Sequence, residues 1–327
     1  MKKILMLFMS LIIILSGIAG CSNSTDGKQK ESKNIKFYYQ DGTPALTVAK
    51  LVKENSIVDE NITIEYEMQK SPDLLVSKIL KEEADIAIVP SNLAAQAFNK
   101  GIQYEIVGTS IWGSLYLAST EDIKGFEELK GREIYTFGKG LTPDLVFSLI
   151  LSKNGIDLDK DVKINYLNSA AEVGPAFIGG KTNLAVLAEP LLTTVMMKKQ
   201  DAKIILDLNE EWTKVAETEK GYPQASLIIK KDLIDNDKEF VEKFIKAYEE
   251  SRRWTIEHPK ELGEYAEELE ISVMKETIEK GIRWTNIESF DINDGKEEYE
   301  AYYKAILDFA PEFIGGKMPD EEIYFER

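Results

Sequence analysis

A chain of 327 residues with 43% hydrophobic and 30% charged content has room for two globular domains and is too apolar to be a disordered chain. Its formal charge of −17 argues against nucleic acid as a partner and against a face lying flat on anionic lipid. A single cysteine and a single histidine leave no intrachain disulfide, no thiolate or zinc cluster and no nucleophilic triad.

The chain opens with Lys2-Lys3, an apolar run from Leu5 to Ile14, and Ile18-Ala19-Gly20-Cys21. This is the pattern of a lipoprotein signal, with residues 1–20 as leader and Cys21 as the lipidated residue. The apolar run is short for a membrane span. Residues 21–33 are polar and read as a tether.

Strands are then expected at Ile35 to Tyr39, Ile62 to Met68 and Ile86 to Val89. Helices alternate with them. One opens at Thr43-Pro44 after the turn Asp41-Gly42, one is capped by Ser71, and one begins at Pro90-Ser91-Asn92. Gln103 to Val107 and Ser114 to Ser119 read as strands, with Gly108 to Gly113 between them as a first crossing to a second lobe. That lobe continues through the strand Ile134 to Phe137, the turn Gly138-Lys139-Gly140 and a helix with Thr142 as N-cap and Pro143 at its first position. Gly221-Tyr222-Pro223 and the strand Ala225 to Ile229 carry the chain back. From Lys238 the pattern is mostly helical, and Ile323 to Phe325 form an apolar edge at the end.

The chain repeats itself. Ile35, Thr43, Pro44 and Leu46 recur 99 positions later as Ile134, Thr142, Pro143 and Leu145. Ile62 to Tyr66 resembles Val162 to Tyr166, and Ala84 to Pro90 resembles Thr182 to Pro190. Two copies of a strand–helix–strand–helix–strand unit predict two similar α/β lobes. The boundaries expected are 34–113 with 226–327 for lobe 1 and its C-terminal helices, and 114–225 for lobe 2.

Strand ends of the two lobes are expected to face one another across a cleft. Backbone N–H groups near Gly138, Gly140, Leu141 and Thr142, and near Thr43, suit an anionic or carbonyl oxygen there. Glu189, at a strand end, requires a partner when buried. That partner is either a ligand amine or amidine, or a lysine, arginine or helix N-terminus of the protein. Tyr39, Trp112 and Tyr222 are candidate walls for a flat ring, with Tyr38, Tyr116 and Phe137 nearby. Pro90, Ser91 and Asn92 follow a strand end and are further candidates. Trp254 and Trp284 read as packing residues, and no acidic loop has calcium-site spacing.

The signal, the two repeated lobes, the two crossings and the helical tail together resemble the nitrate, sulfonate, taurine and thiamine-precursor class of substrate-binding proteins of ABC importers. Ala84 to Ile88, the loop Gly138 to Pro143 and Leu187-Ala188-Glu189-Pro190 carry the resemblance. It implies a two-lobed periplasmic-binding-protein-like fold of type II, α/β throughout, each lobe a mixed sheet flanked by helices. It also implies a non-enzymatic, cofactor-free monomer. Such a protein sits on the outer face of the bacterial cytoplasmic membrane, held by its lipid alone, and closes on a small-molecule solute for a permease and its ATPase. A donor-bearing solute at Glu189 favours an aminopyrimidine-like or other nitrogenous ring; internal pairing of Glu189 leaves a sulfonate or nitrate open. The fold is shared with a pyrimidine synthase that depends on histidine chemistry, for which the lone His258 is far from any strand-end loop. A ligand sensor would need only the same closing cleft.

Overall fold

The computed structural model describes residues 33–54, 59, 61–287 and 289–326. Cys21, the leader and the tether before Lys33 lie outside them. Ten strands form two five-stranded sheets, as the repeat requires. The first half runs β1 (Lys33–Gln40), α1 (Thr43–Glu54), β2 (Ile62–Gln69), α2 (Pro72–Leu80), β3 (Ile86–Pro90), α3 (Ser91–Asn99) and β4 (Tyr104–Trp112). The second runs β5 (Leu115–Ser119), β6 (Arg132–Phe137), α4 (Thr142–Lys153), β7 (Val162–Leu167), α5 (Ala170–Ile178), β8 (Leu184–Ala188), α6 (Leu191–Lys198), β9 (Lys203–Asp207) and α7 (Leu208–Ala216). The chain returns through β10 (Pro223–Lys230). It ends in α8 (Lys231–Asn236), α9 (Lys238–Glu257), α10 (Pro259–Glu268), α11 (Lys275–Gly281), α12 (Ile292–Phe309) and short 3-10 turns.

Lobe 1 has the strand order β2-β1-β3-β10-β4, and lobe 2 has β7-β6-β8-β5-β9. In each, the first strand pairs in parallel with the second and third. In each, a strand from outside the repeated unit enters antiparallel beside the third: β10 beside β3 and β5 beside β8. The two sheets are therefore mixed in the same way. Strands without an exposed face read as continuous apolar runs, and β3 and β8 are buried along nearly their whole length.

The first crossing is shorter than expected. Residues 108–112 continue β4, paired antiparallel with β10 from Gly108 opposite Leu227 to Trp112 opposite Pro223. Only Gly113 and Ser114 separate β4 from β5. Gly108 is not a turn residue. A Cβ built there would lie 2.3 Å from the carbonyl oxygen of Phe290, so the small residue lets the tail press against the strand. Thr109 N–H donates to that same carbonyl at 2.8 Å. At the return crossing, β10 begins at Pro223, before the expected strand start at Ala225.

The tail closes the molecule. Arg252 is 3% exposed; its Nη2 donates to carbonyls of Ser110, Ile287 and Ser289, its Nε has no partner among the described residues, and the guanidinium lies 4.8 Å from the centre of the Phe290 ring. Burial lowers its pKa. At the other end, Phe325 N–H donates to Ile106, and Ile323, Tyr324 and Phe325 are buried against the edge of β4. An edge strand is thereby covered. α12 packs on both lobes: Tyr299 bonds Ser226, and Tyr302 lies against Trp212. Trp254 stacks between neighbours Tyr265 and His258 as a packing residue, but Trp284 is 52% exposed with Arg283 over its ring, contrary to expectation. No helix among the described residues is long and apolar enough to cross a membrane.

Candidate functional site

The turns after β1, β3, β6 and β8 converge on a cavity between the lobes. It contains about 850 Å³ of atom-free space continuous with solvent. That is room for a small solute. Lobe 1 contributes Gln40, Asp41, Gly42, Thr43, Pro44 and Pro90; lobe 2 contributes Phe137, Pro143, Ser169, Glu189 and Pro190. Gln224 enters from β10, and Ser272 and Val273 from the loop between α10 and α11.

Glu189 is buried at 5% exposure. Its carboxylate accepts the Thr193 N–H at 3.1 Å and the Thr193 hydroxyl at 3.0 Å. The first turn of α6 thus supplies partners of the helix N-terminus kind. Burial raises its pKa, and the two Thr193 bonds pull it part of the way back. Each carboxylate oxygen keeps capacity for one further donor.

Among the described residues the wall holds one cation, Lys70, and it is already engaged. Lys70 Nζ lies 3.1 Å from Asp41 and donates to the Glu270 carbonyl at 2.8 Å. Asp41 also accepts the Ser272 hydroxyl and N–H and the Gly42 N–H. This clasp holds the 270–273 loop over the cavity. Among the described residues, three groups lining the cavity have no hydrogen-bond partner: the Gln40 side-chain amide, the Ser169 hydroxyl and Nε2 of Gln224. Gln224 Oε1 accepts the Ser114 N–H at 2.9 Å, with the Tyr222 hydroxyl at 3.4 Å. Because an N–H can only donate, this fixes the amide with Nε2 away from the crossings. The wall is otherwise apolar, with Phe137 and four prolines offering flat faces.

Of the sequence candidates, Thr43, Pro90 and Glu189 line this cavity. The others do not. Tyr39 faces the lobe 1 core beside Phe37, because strand alternation turns it away from the cleft. Trp112 is buried against Gly295 and donates its indole N–H to Ser289. Tyr222 is fully buried, edge-on to Trp212. Ser91 shares a hydrogen bond with Ser226.

The loop Gly138 to Thr142 corrects the expectation of a free N–H cradle. Its flanks Phe137 and Pro143 line the cavity, but the Gly140 N–H is taken by Asp144 at 2.7 Å and the Gly140 carbonyl by Asn92 at 3.0 Å. Gly140 has φ of +71°, and the Phe313 ring lies where a Cβ would point. Leu141, not Thr142, is the N-cap of α4, and it makes no side-chain cap bond. The Thr142 hydroxyl is used by Asn92 and Tyr302 instead. Gln40, Ser169 and Gln224 were not singled out from sequence. Gln224 follows the return crossing directly, and that placement is the signal that marks it.

No group of three or more metal-ligating side chains occurs among the described residues. Comparison with known proteins places the geometry in context. The chain is 24% identical over 206 residues to a Bacillus subtilis (strain 168) protein named as binding protein YtlA; the match covers 61% of this chain and 59% of that protein's length. An ABC transporter structure from Parabacteroides distasonis is 27% identical, covers 91% of this chain and 100% of its own, and superposes with a TM-score of 0.73. The periplasmic aliphatic sulphonate binding protein SsuA from Escherichia coli shares the fold at 13% identity, with 90% and 92% coverage and a TM-score of 0.71. The family model described as NMT1/THI5 like matches residues 58–262. That match takes in more than half of the sequence, and the chain belongs to the NMT1/THI5-like family.

Proposed function

We propose that this protein is an extracytoplasmic solute receptor of an ABC importer. It shuts around a small, uncharged or cationic nitrogenous ring and presents it to a membrane permease and its ATPase. In this reading Cys21 carries the lipid that holds a monomeric receptor on the outer face of the cytoplasmic membrane, and no nucleic acid is involved.

One observation carries the ligand class. The cavity presents two carboxylates, Asp41 and Glu189, against one lysine that is already paired with Asp41. A nitrate or sulfonate entering it would meet a buried carboxylate and no uncommitted cation, which is costly in a desolvated site. A ring with an amino group suits Glu189, and a ring nitrogen or carbonyl suits Gln224 Nε2 or Ser169. The prolines and Phe137 suit its faces. The similarity to an ABC transporter protein and to a binding protein supports import, and the sulfonate specificity of SsuA stays with that protein.

Native mass spectrometry of the protein as purified tests the reading. A retained neutral or cationic nitrogenous compound supports it. A retained sulfonate or nitrate overturns the ligand class.

A further inference from the structure

Among the hydrogen bonds that tie the lobes together, two sets are related by the internal repeat. In each lobe the helix after the first strand begins with Thr-Pro: Thr43-Pro44 in lobe 1, Thr142-Pro143 in lobe 2. The Thr43 hydroxyl donates to the Glu189 carbonyl at 2.6 Å, at the junction of β8 and α6. The Thr142 hydroxyl donates to Asn92 Oδ1 at 3.3 Å, at the junction of β3 and α3, with the Asn92 N–H returning at 3.5 Å. Asn92 Nδ2 reaches the Gly140 carbonyl at 3.0 Å. Because β3 and β8 hold the same place in their sheets, each threonine reaches the matching junction of the opposite lobe.

The two halves differ in what surrounds them. Thr43 lines the cavity. Asn92 and Thr142 are 1% and 0% exposed and stand away from its wall. There the tail completes the set: the Tyr302 hydroxyl lies 2.9 Å from Thr142 Oγ1, and the Phe313 carbonyl accepts from Asn92 at 3.1 Å.

We propose that Asn92 and Thr142 are positioning residues: a latch that holds the lobes shut and sets solute affinity without touching the solute. The effect on affinity rests on the solute-binding reading above; the latch itself does not. Opening exchanges these bonds for bonds to water, so each contributes a modest net amount. Removing one lowers the ratio of closed to open molecules roughly two- to ten-fold. Since apparent affinity scales with the fraction of competent molecules, every solute loses affinity by the same factor.

Pulsed electron paramagnetic resonance on the full-length chain, without solute, tests this. Cys21→Ser removes the native thiol, and nitroxides at Lys81→Cys and Lys160→Cys mark exposed sites on the two lobes. Thr142→Val and Asn92→Ala should each increase the long-distance population, while Thr142→Ser, which keeps the hydroxyl, should retain the parent distribution. Identical distributions in parent and Thr142→Val overturn the latch. Asn92→Ala leaves carbonyls unpaired, so the nearly isosteric Thr142→Val keeps the test informative if the former misfolds. No solute is needed, so failure of the solute-binding reading leaves this result legible. With any solute that does bind, an equal fractional loss across solutes supports the positioning role, and a changed ranking overturns it.

Discussion

In the proposed site Glu189 accepts from the solute and Gln224 donates to it. Burial holds the Glu189 carboxyl above the usual glutamate range. A raised acid pKa means that its contribution to stability is complete below the unfolded value and is lost as pH rises through the folded one. Glu189→Gln removes the ionisable group and keeps an acceptor for Thr193. Its melting temperature at neutral pH should therefore not fall. Binding of an amino-bearing ring should weaken by roughly 1–3 kcal/mol, read by calorimetric titration. Unchanged affinity would place Glu189 outside the contact set. A donor from the solute favours the ionised carboxylate, so wild-type affinity should decline as pH falls through the raised pKa, and the variant should flatten that profile. For Gln224, the Glu variant keeps the acceptor for the Ser114 N–H and loses the donor, so solute binding should drop while hydrogen exchange at Ser114 stays slow. Gln224→Met should lose both. Exchange at Ser114 that ignores Gln224→Met would contradict the bond to the crossing.

The repeated element explains what could be read before any coordinates and what could not. Thr-Pro after a strand, followed by apolar residues at helical spacing, fixes a helix start in both copies, and α1 and α4 begin there. Which copy faces the solute is not local information. The second copy's glycine loop is covered by Asn92, Tyr302 and Phe313, which lie far from it in sequence. Tyr39 failed as a ring wall because alternation gives two faces and the sequence does not say which one meets helices α1 and α9. Gly108 reads as a turn residue by propensity, yet it serves the close approach of Phe290 to β4. Gly108→Ala should cost roughly 1–3 kcal/mol in denaturant unfolding, because the strand or the tail has to shift. A cost near zero would show that the tail yields there freely.

At the scale of the molecule, two mixed sheets of matching order are joined by short crossings, the architecture on which the proposed opening and shutting rests. That architecture was legible because the repeat, the strand runs and the crossings are each written in contiguous sequence. The chemistry of the cleft was less so: Gln40, Ser169 and Gln224 are ordinary polar residues until folding gathers them. A solute shifts such a protein toward the shut form only through its preference for that form, and it stabilises the chain against unfolding by binding the folded state. At about 100 times its dissociation constant a specific solute adds roughly 2.7 kcal/mol to unfolding. The most direct measurement is calorimetric titration of the protein with cytosine and 4-aminopyrimidine set against taurine and nitrate. Saturable binding of an aminopyrimidine, with none of the anions, is the predicted result. Tight binding of taurine or nitrate, with no response to either ring, would contradict it.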